Sequence, residues 1–152
     1  MVYTVGEMAK LVGVPASTLR YYDKQGLLPF VERSPGGIRM FREQDYEWLQ
    51  VIHCLKQTGM PLKGIREFVE MAMEGDGTIG PRLELILRQQ EAVRVRMAEL
   101  RETLNILEFK RWYYETAKRA GSTAVPRDMP EEEVPAQYRA ARRVLRRLPD
   151  MG

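Results

Sequence analysis

The chain has 152 residues, 44% of them hydrophobic and 30% charged, with a formal net charge of +3. That composition excludes a disordered chain, and the lone cysteine, Cys54, excludes an intrachain disulfide and suits a reducing compartment. No run approaches the ~20 apolar residues that a membrane span needs.

The opening MVYTVGEM has no basic region followed by an apolar run. No signal peptide is therefore expected, and the cytoplasm is the expected location. Charge is informative through its placement. Residues 1–74 hold nine Lys/Arg and nine Asp/Glu, which cancel. Within residues 20–42, five cations (Arg20, Lys24, Arg33, Arg39, Arg42) face Asp23 and Glu32, a local excess of three. Residues 135–152 set Arg139, Arg142, Arg143, Arg146 and Arg147 against Asp150, an excess of four.

In chain order, Thr4-Val5-Gly6-Glu7 reads as a capping box. Val5, Met8, Ala9 and Val12 follow at helical spacing, and Gly13 is a natural stop. Pro15 opens a second helix, which runs to about Gln25 before Gly26. Two short helices joined through a glycine have the length of a helix-turn-helix. Residues 28–33 and 38–42 are β-prone runs flanking Ser34-Pro35-Gly36-Gly37, a hairpin candidate whose arginines alternate with apolar residues.

Residues 43–58 predict a helix with Tyr46, Leu49, Ile52 and Leu55 in one stripe, ended by Gly59. Pro61 starts another, carrying Leu62, Ile65, Phe68, Val69 and Ala72. A break at Glu74-Gly75-Asp76-Gly77 precedes residues 82–119, which contain no Pro or Gly. There Leu83, Ile86, Gln90, Val93, Met97, Leu100, Leu104, Leu107, Arg111 and Tyr114 alternate spacings of three and four, a heptad seam with two polar interruptions. A helix roughly 55 Å long cannot bury its seam against a small domain. A second copy of the chain is the simplest partner. The tail has an acidic run, Glu131-Glu132-Glu133, then a basic helix over residues 136–148, expected to be a solvated cap, with Tyr138, Ala141, Val144, Leu145 and Leu148 on one side.

A basic second helix, a basic hairpin and a dimer helix together point to DNA. The second helix of a helix-turn-helix enters the major groove. Ser17, Thr18 and Arg20 suit that position, because hydroxyls reach phosphates or base edges and Arg reads guanine bidentately. Tyr21 and Tyr22 lie about 100° apart on a helix, so one should face DNA while the other packs the motif. The hairpin would be a wing, with Arg33, Arg39 and Arg42 beside phosphates. A snorkelling surface helix is the alternative for this segment taken alone.

"YTVGEMAKLVGVPASTLRYYDKQGLL", "RSPGGIRMF", "LKQTGMPLKGI" and the long heptad helix together resemble the MerR family of bacterial transcription regulators, over about residues 2–119. The resemblance implies a mainly α fold: a winged helix-turn-helix DNA-binding domain (residues 1–75), a long antiparallel coiled-coil dimerisation helix (82–119) and a tail (120–152). It also implies a homodimer on a two-fold operator in promoter DNA. There the family bends and untwists an over-long spacer for RNA polymerase when an effector binds. Matching positions place DNA contacts on Ser17, Thr18, Arg20, Tyr21 and Tyr22, and wing contacts on Arg33, Gly37, Arg39 and Phe41. The dimer contacts fall on Leu83, Ile86, Val93, Met97, Leu100, Leu104 and Leu107. Ile38 departs from the pattern, since many members carry Tyr there in an "NGYRxY" wing.

Metal-sensing members resemble one another in a Cys near the start of the dimer helix and two near its far end. This chain has none of these, and no metal or cofactor is expected. "VIHCLKQTGMPL" and "EGDGTIGPRLELIL" are similar to the subgroup that responds to aldehydes and electrophiles through one cysteine. Cys54 is then either a reactive thiolate, with His53 and Lys56 favouring it and the helix dipole opposing it, or a buried small hydrophobe. Trp112, Tyr113, Tyr114 and Tyr138 could instead line a small-molecule site or simply pack. No phosphate loop, Ser-His-Asp set or carboxylate pair with a companion His suggests an enzyme. A coiled-coil adaptor would leave the cations of residues 20–42 without a role.

Overall fold

The computed structural model describes residues 1–147. The chain divides into two compact units, one ending at Val93 and the other running from Arg94 onward. Among the described residues, no helix is long and apolar enough to cross a membrane.

The first unit opens with strand β1 (Val2–Tyr3), helix α1 (Val5–Val12) and helix α2 (Ala16–Lys24). The Thr4 hydroxyl accepts the Glu7 amide at 3.3 Å, and the Glu7 carboxylate takes the Thr4 amide at 2.8 Å, completing the expected box. This hydrogen bonding holds the Glu7 carboxyl below its ordinary value. Gly13 ends α1 at φ 80°, a left-handed backbone that a side chain would resist. The hairpin is β2 (Glu32–Arg33) and β3 (Arg39–Arg42). The sheet order is β1-β3-β2, antiparallel throughout, with Tyr3 opposite Phe41 and Arg33 opposite Arg39. The β1 pairing was not expected.

Helix α3 (Glu43–Gln57) begins where the Asp45 carboxylate accepts the Arg42 amide at 2.8 Å. Asp45 is buried, and burial raises its carboxyl above the ordinary value, against the opposing pull of that amide. Helix α4 (Leu62–Glu74) follows Pro61. The core gathers Met8 and Val12 of α1, Leu19 and Tyr22 of α2, Leu49 and Ile52 of α3, and Ile65 and Val69 of α4. Phe41 and Leu27 join it with no exposed surface. Each such side chain contributes ~1.5–3 kcal/mol by leaving water. Of the stripe expected on α3, Leu49, Ile52 and Leu55 are buried, but Tyr46 is exposed.

Helix α5 (Ile79–Ala120) starts three residues earlier than expected, because Pro81 is tolerated in a first turn. Its Leu85 is buried in the first unit's core, outside the heptad seam.

The second unit contains the remainder of α5 together with α6 (Ala124–Asp128) and α7 (Ala136–Arg146). Phe109, Pro126 and Val134 are buried there, and so is the charged Arg142. Trp112 and Tyr138 stack at 5.7 Å and Phe109 lies 5.9 Å from Trp112, so these rings pack on one another. Tyr114 is exposed instead. The basic helix was expected to be a solvated cap. Three of its arginines turn inward onto backbone carbonyls: Arg139 to Val134 and Glu132, Arg142 to Arg127 and Met129, and Arg146 to Arg127. Leu148, expected on its apolar side, lies outside the described residues.

Candidate nucleic-acid interface

Helix α2 has two distinct sides. Leu19 and Tyr22 point into the core, while Ser17, Arg20, Tyr21 and Lys24 are exposed. Those four positions are spaced i, i+3, i+4 and i+7, which places them on one helical face. Thr18 is half-buried beside that face. The helix therefore presents a hydroxyl, a phenol and two cations together, with no carboxylate among them.

Tyr21 and Tyr22 separate as the 100° argument requires. Tyr21 is 43% exposed and Tyr22 only 2%. Tyr22 was expected among the DNA contacts; its ring instead locks α2 into the core. Its hydroxyl meets His53 Nδ1 of α3 at 3.2 Å. Burial, and then the neighbouring Tyr21, raises the Tyr22 phenol above its ordinary value. Phe41 needs the same correction. Its side chain is fully buried, so it supports the wing from beneath and offers DNA no side-chain contact.

The wing is tied to α2 through one carboxylate. Asp23 Oδ2 accepts Arg33 Nη2 at 2.8 Å and also Arg39 Nη2. Arg33 and Arg39 are directly opposite each other on the hairpin, where like charges repel. Asp23 offsets that repulsion and fixes both guanidinium groups beside the reading face. Arg39 shares the pleat face of Phe41 by period two, which explains its partial burial. Its Nε is buried without a hydrogen-bond partner among the described residues.

On the other pleat face, Arg42 pairs with Glu32 at 2.7 Å. This contact raises the Arg42 guanidinium further above its ordinary value. Arg33 Nη1 also donates to the Gly37 carbonyl at 3.2 Å. Gly37 sits at φ 80° in the wing turn, a conformation that favours glycine. Ile38, at the wing tip, is 69% exposed.

Two further sets of expected residues can be placed. Leu83, Ile86, Met97, Leu100, Leu104 and Leu107 on α5 are all exposed, and Val93 is half-buried. Among the described residues, nothing covers this apolar row. Cys54 is exposed on α3, so the reading of it as a buried hydrophobe does not hold within the protomer. Sequence reasoning missed Asp23, which looked like a diluting charge in a basic segment. Its position one turn after Arg20, below two hairpin arginines, was the available signal.

Comparison with known proteins bears on this arrangement. Residues 3–72 match the family described as MerR HTH family regulatory protein, and residues 46–108 match the one described as MerR, DNA binding. An HTH-type transcriptional regulator of Haemophilus influenzae is 46% identical over 122 residues, covering 80% of this chain and 90% of that one. The HTH-type transcriptional regulator AdhR of Bacillus subtilis is 33% identical over 87 residues, spanning 57% of this chain and 62% of its own. Among solved structures, HiNmlR, a MerR family regulator lacking the sensor domain and bound to promoter DNA, superposes with a TM-score of 0.78 at 44% identity. That match covers 86% of this chain and 98% of HiNmlR. With its helix-turn-helix, its wing and its long helix matched over most of their length, the chain belongs to the MerR family of HTH transcriptional regulators.

Proposed function

We propose that this MerR-family regulator binds a two-fold operator in promoter DNA as a homodimer and remodels that DNA for RNA polymerase in response to an electrophile. The observation that carries the DNA reading is the single face formed by Ser17, Arg20, Tyr21 and Lys24 beside the Asp23-clamped wing. Arg20 reads a base edge, while Ser17, Thr18 and Tyr21 hold phosphates. Arg33, Arg39 and the Gly37 turn follow the adjacent backbone. The solved relative on promoter DNA supports this reading.

Residues 1–75 serve as the DNA reader, 82–119 as the dimerisation helix and 120–152 as an appended tail. The exposed row from Leu83 to Leu107 supports the dimer. Such a row in water carries a large cost that a second, antiparallel copy removes. The function is regulatory and involves no catalysis. RNA polymerase is engaged through the shape of the promoter.

Cys54 is the proposed sensor. Its thiol sits at the surface of α3, open to a small reagent. The thiol sulfur adds to an aldehyde carbon: the C–S bond forms as the carbonyl π bond breaks, and the carbonyl oxygen takes up the proton that the thiol gives up. Its neighbour in sequence, His53, holds the Tyr22 hydroxyl of α2, so an adduct lies one residue from a link to the reading helix. Footprinting on the chain's own upstream DNA, with and without aldehyde, tests the whole reading. Two-fold protection with altered central cleavage on adding aldehyde is expected; absence of protection would refute it.

A further inference from the structure

A cavity of about 170 Å³ lies in the second unit, bounded by α5, α6 and α7. Phe109, Tyr113 and Pro126 give it apolar walls, and Lys110, Arg142 and Arg146 give it charge. Leu145 and Arg127 complete the lining. Among the described residues, four cations thus border the hollow and no carboxylate lines it. Arg127 has its own counter-ion, Asp128, at 2.9 Å. The nearby Glu131 is engaged by Arg143.

Two of these cations, Arg142 and Arg146, are held by backbone carbonyls. Arg142 is 4% exposed, and its Nη2 donates to the carbonyls of Arg127 at 3.1 Å and Met129 at 2.6 Å. Arg146 Nη2 donates to the same Arg127 carbonyl. These two guanidinium groups stand one helical turn apart and repel each other. Burial, and then Arg146, pulls Arg142 below its ordinary value. Glu131 pulls the other way from a distance; the carbonyl oxygens satisfy hydrogen bonds but bring only partial charge, so among the described residues no carboxylate pairs directly with this buried cation. Lys110 lies 4.7 Å from the Tyr113 ring centre, leaving its ammonium at the rim.

Size and walls narrow the ligand. A dry cavity of about 150 Å³ accepts one benzene ring, so this hollow suits one ring and little more. Aromatic walls favour a flat ring, and the guanidinium groups favour a planar anion with two oxygens. We propose that the cavity binds a monocyclic aromatic carboxylate, with its ring against Phe109 and Tyr113 and its carboxylate toward Arg142 and Arg146. The inference stands apart from DNA reading and from Cys54, since every lining residue lies in the second unit.

Calorimetric titration of the full chain with benzoate, in the absence of DNA, tests it. Saturable binding at one site per chain is expected, with the neutral isostere benzamide weaker by roughly tenfold or more, as loss of a charge-assisted contact implies. Arg146→Gln and Lys110→Gln sit at the rim, so circular dichroism should confirm that they fold. Each should weaken benzoate without changing the response to benzamide. Because Arg142 is structural, it is left intact. No saturable heat at millimolar benzoate, equal affinity for benzamide, or full benzoate affinity in both folded variants would overturn the proposal. As no DNA is present, failure to bind an operator cannot be confused with these results.

Discussion

Asp23 and Arg39 form an ion pair that joins the reading helix to the wing, through the same carboxylate oxygen that holds Arg33. Asp23 is 14% exposed at its side chain, so this contact is better shielded than an open surface pair. Asp23→Asn removes the counter-charge and leaves two arginines opposed across the hairpin. A stability loss of ~1–2 kcal/mol is expected in urea unfolding. Non-specific DNA affinity should not fall, because net charge rises. The ratio of operator to non-specific affinity should fall, because the wing loses its register against α2. An unchanged melt and an unchanged ratio would show that the clamp has no role.

Leu100 and Leu104 are 68% and 52% exposed in the protomer, so polar substitution there leaves the protomer's own core untouched. The double change Leu100→Asp, Leu104→Asp should give a helical monomer in light scattering, against a wild-type dimer. A wild-type chain that stays monomeric at micromolar concentration would defeat the dimer reading.

Cys54 is exposed, so Cys54→Ser and Cys54→Ala should each change stability by less than about 0.5 kcal/mol. Both should keep operator affinity and lose the aldehyde response. Normal induction in both variants, or no adduct on the native protein by mass spectrometry, would remove Cys54 as the sensor.

Much of the first unit was legible because its signals are local. The Thr4–Glu7 box, the Gly13 stop, and Pro15 and Pro61 at helix starts need only neighbours in sequence. What was missed is contact across the fold. Strand β1 has two residues and exists only by pairing with β3. Leu85 falls next to the heptad seam, yet a core contact with the first unit claims it. Phe41 was assigned to the DNA face by likeness to relatives, whereas pleat alternation beside a core sheet buries it. Arg142 read as a solvated cation, because a run of arginines carries no mark of the carbonyls that a distant turn will aim at one of them.

Asp45 gives the pH dependence a definite sign. Burial raises its folded carboxyl above the unfolded value of about 3.9, so the folded state holds the proton more tightly. Stability from this group is therefore fully present below the unfolded value and is lost as pH rises through the raised folded value. Asp45→Asn keeps an oxygen for the Arg42 amide and removes the buried charge. The variant should be at least as stable as wild type at neutral pH, and its stability should vary less over that acidic window. Chemical denaturation across the window checks this; a variant with an undiminished slope would assign it to other groups.

In the proposed complex α2 reads bases while the wing holds phosphates. Fluorescence anisotropy against the operator, single-base variants and random duplex, each at several salt concentrations, measures both at once. Arg20→Ala should cost ~1–3 kcal/mol on the operator, flatten the preference at one base pair and leave random DNA less affected. Arg39→Ala should weaken all duplexes alike and reduce the salt slope by about one. Equal losses on every sequence for both variants would contradict the division between helix and wing.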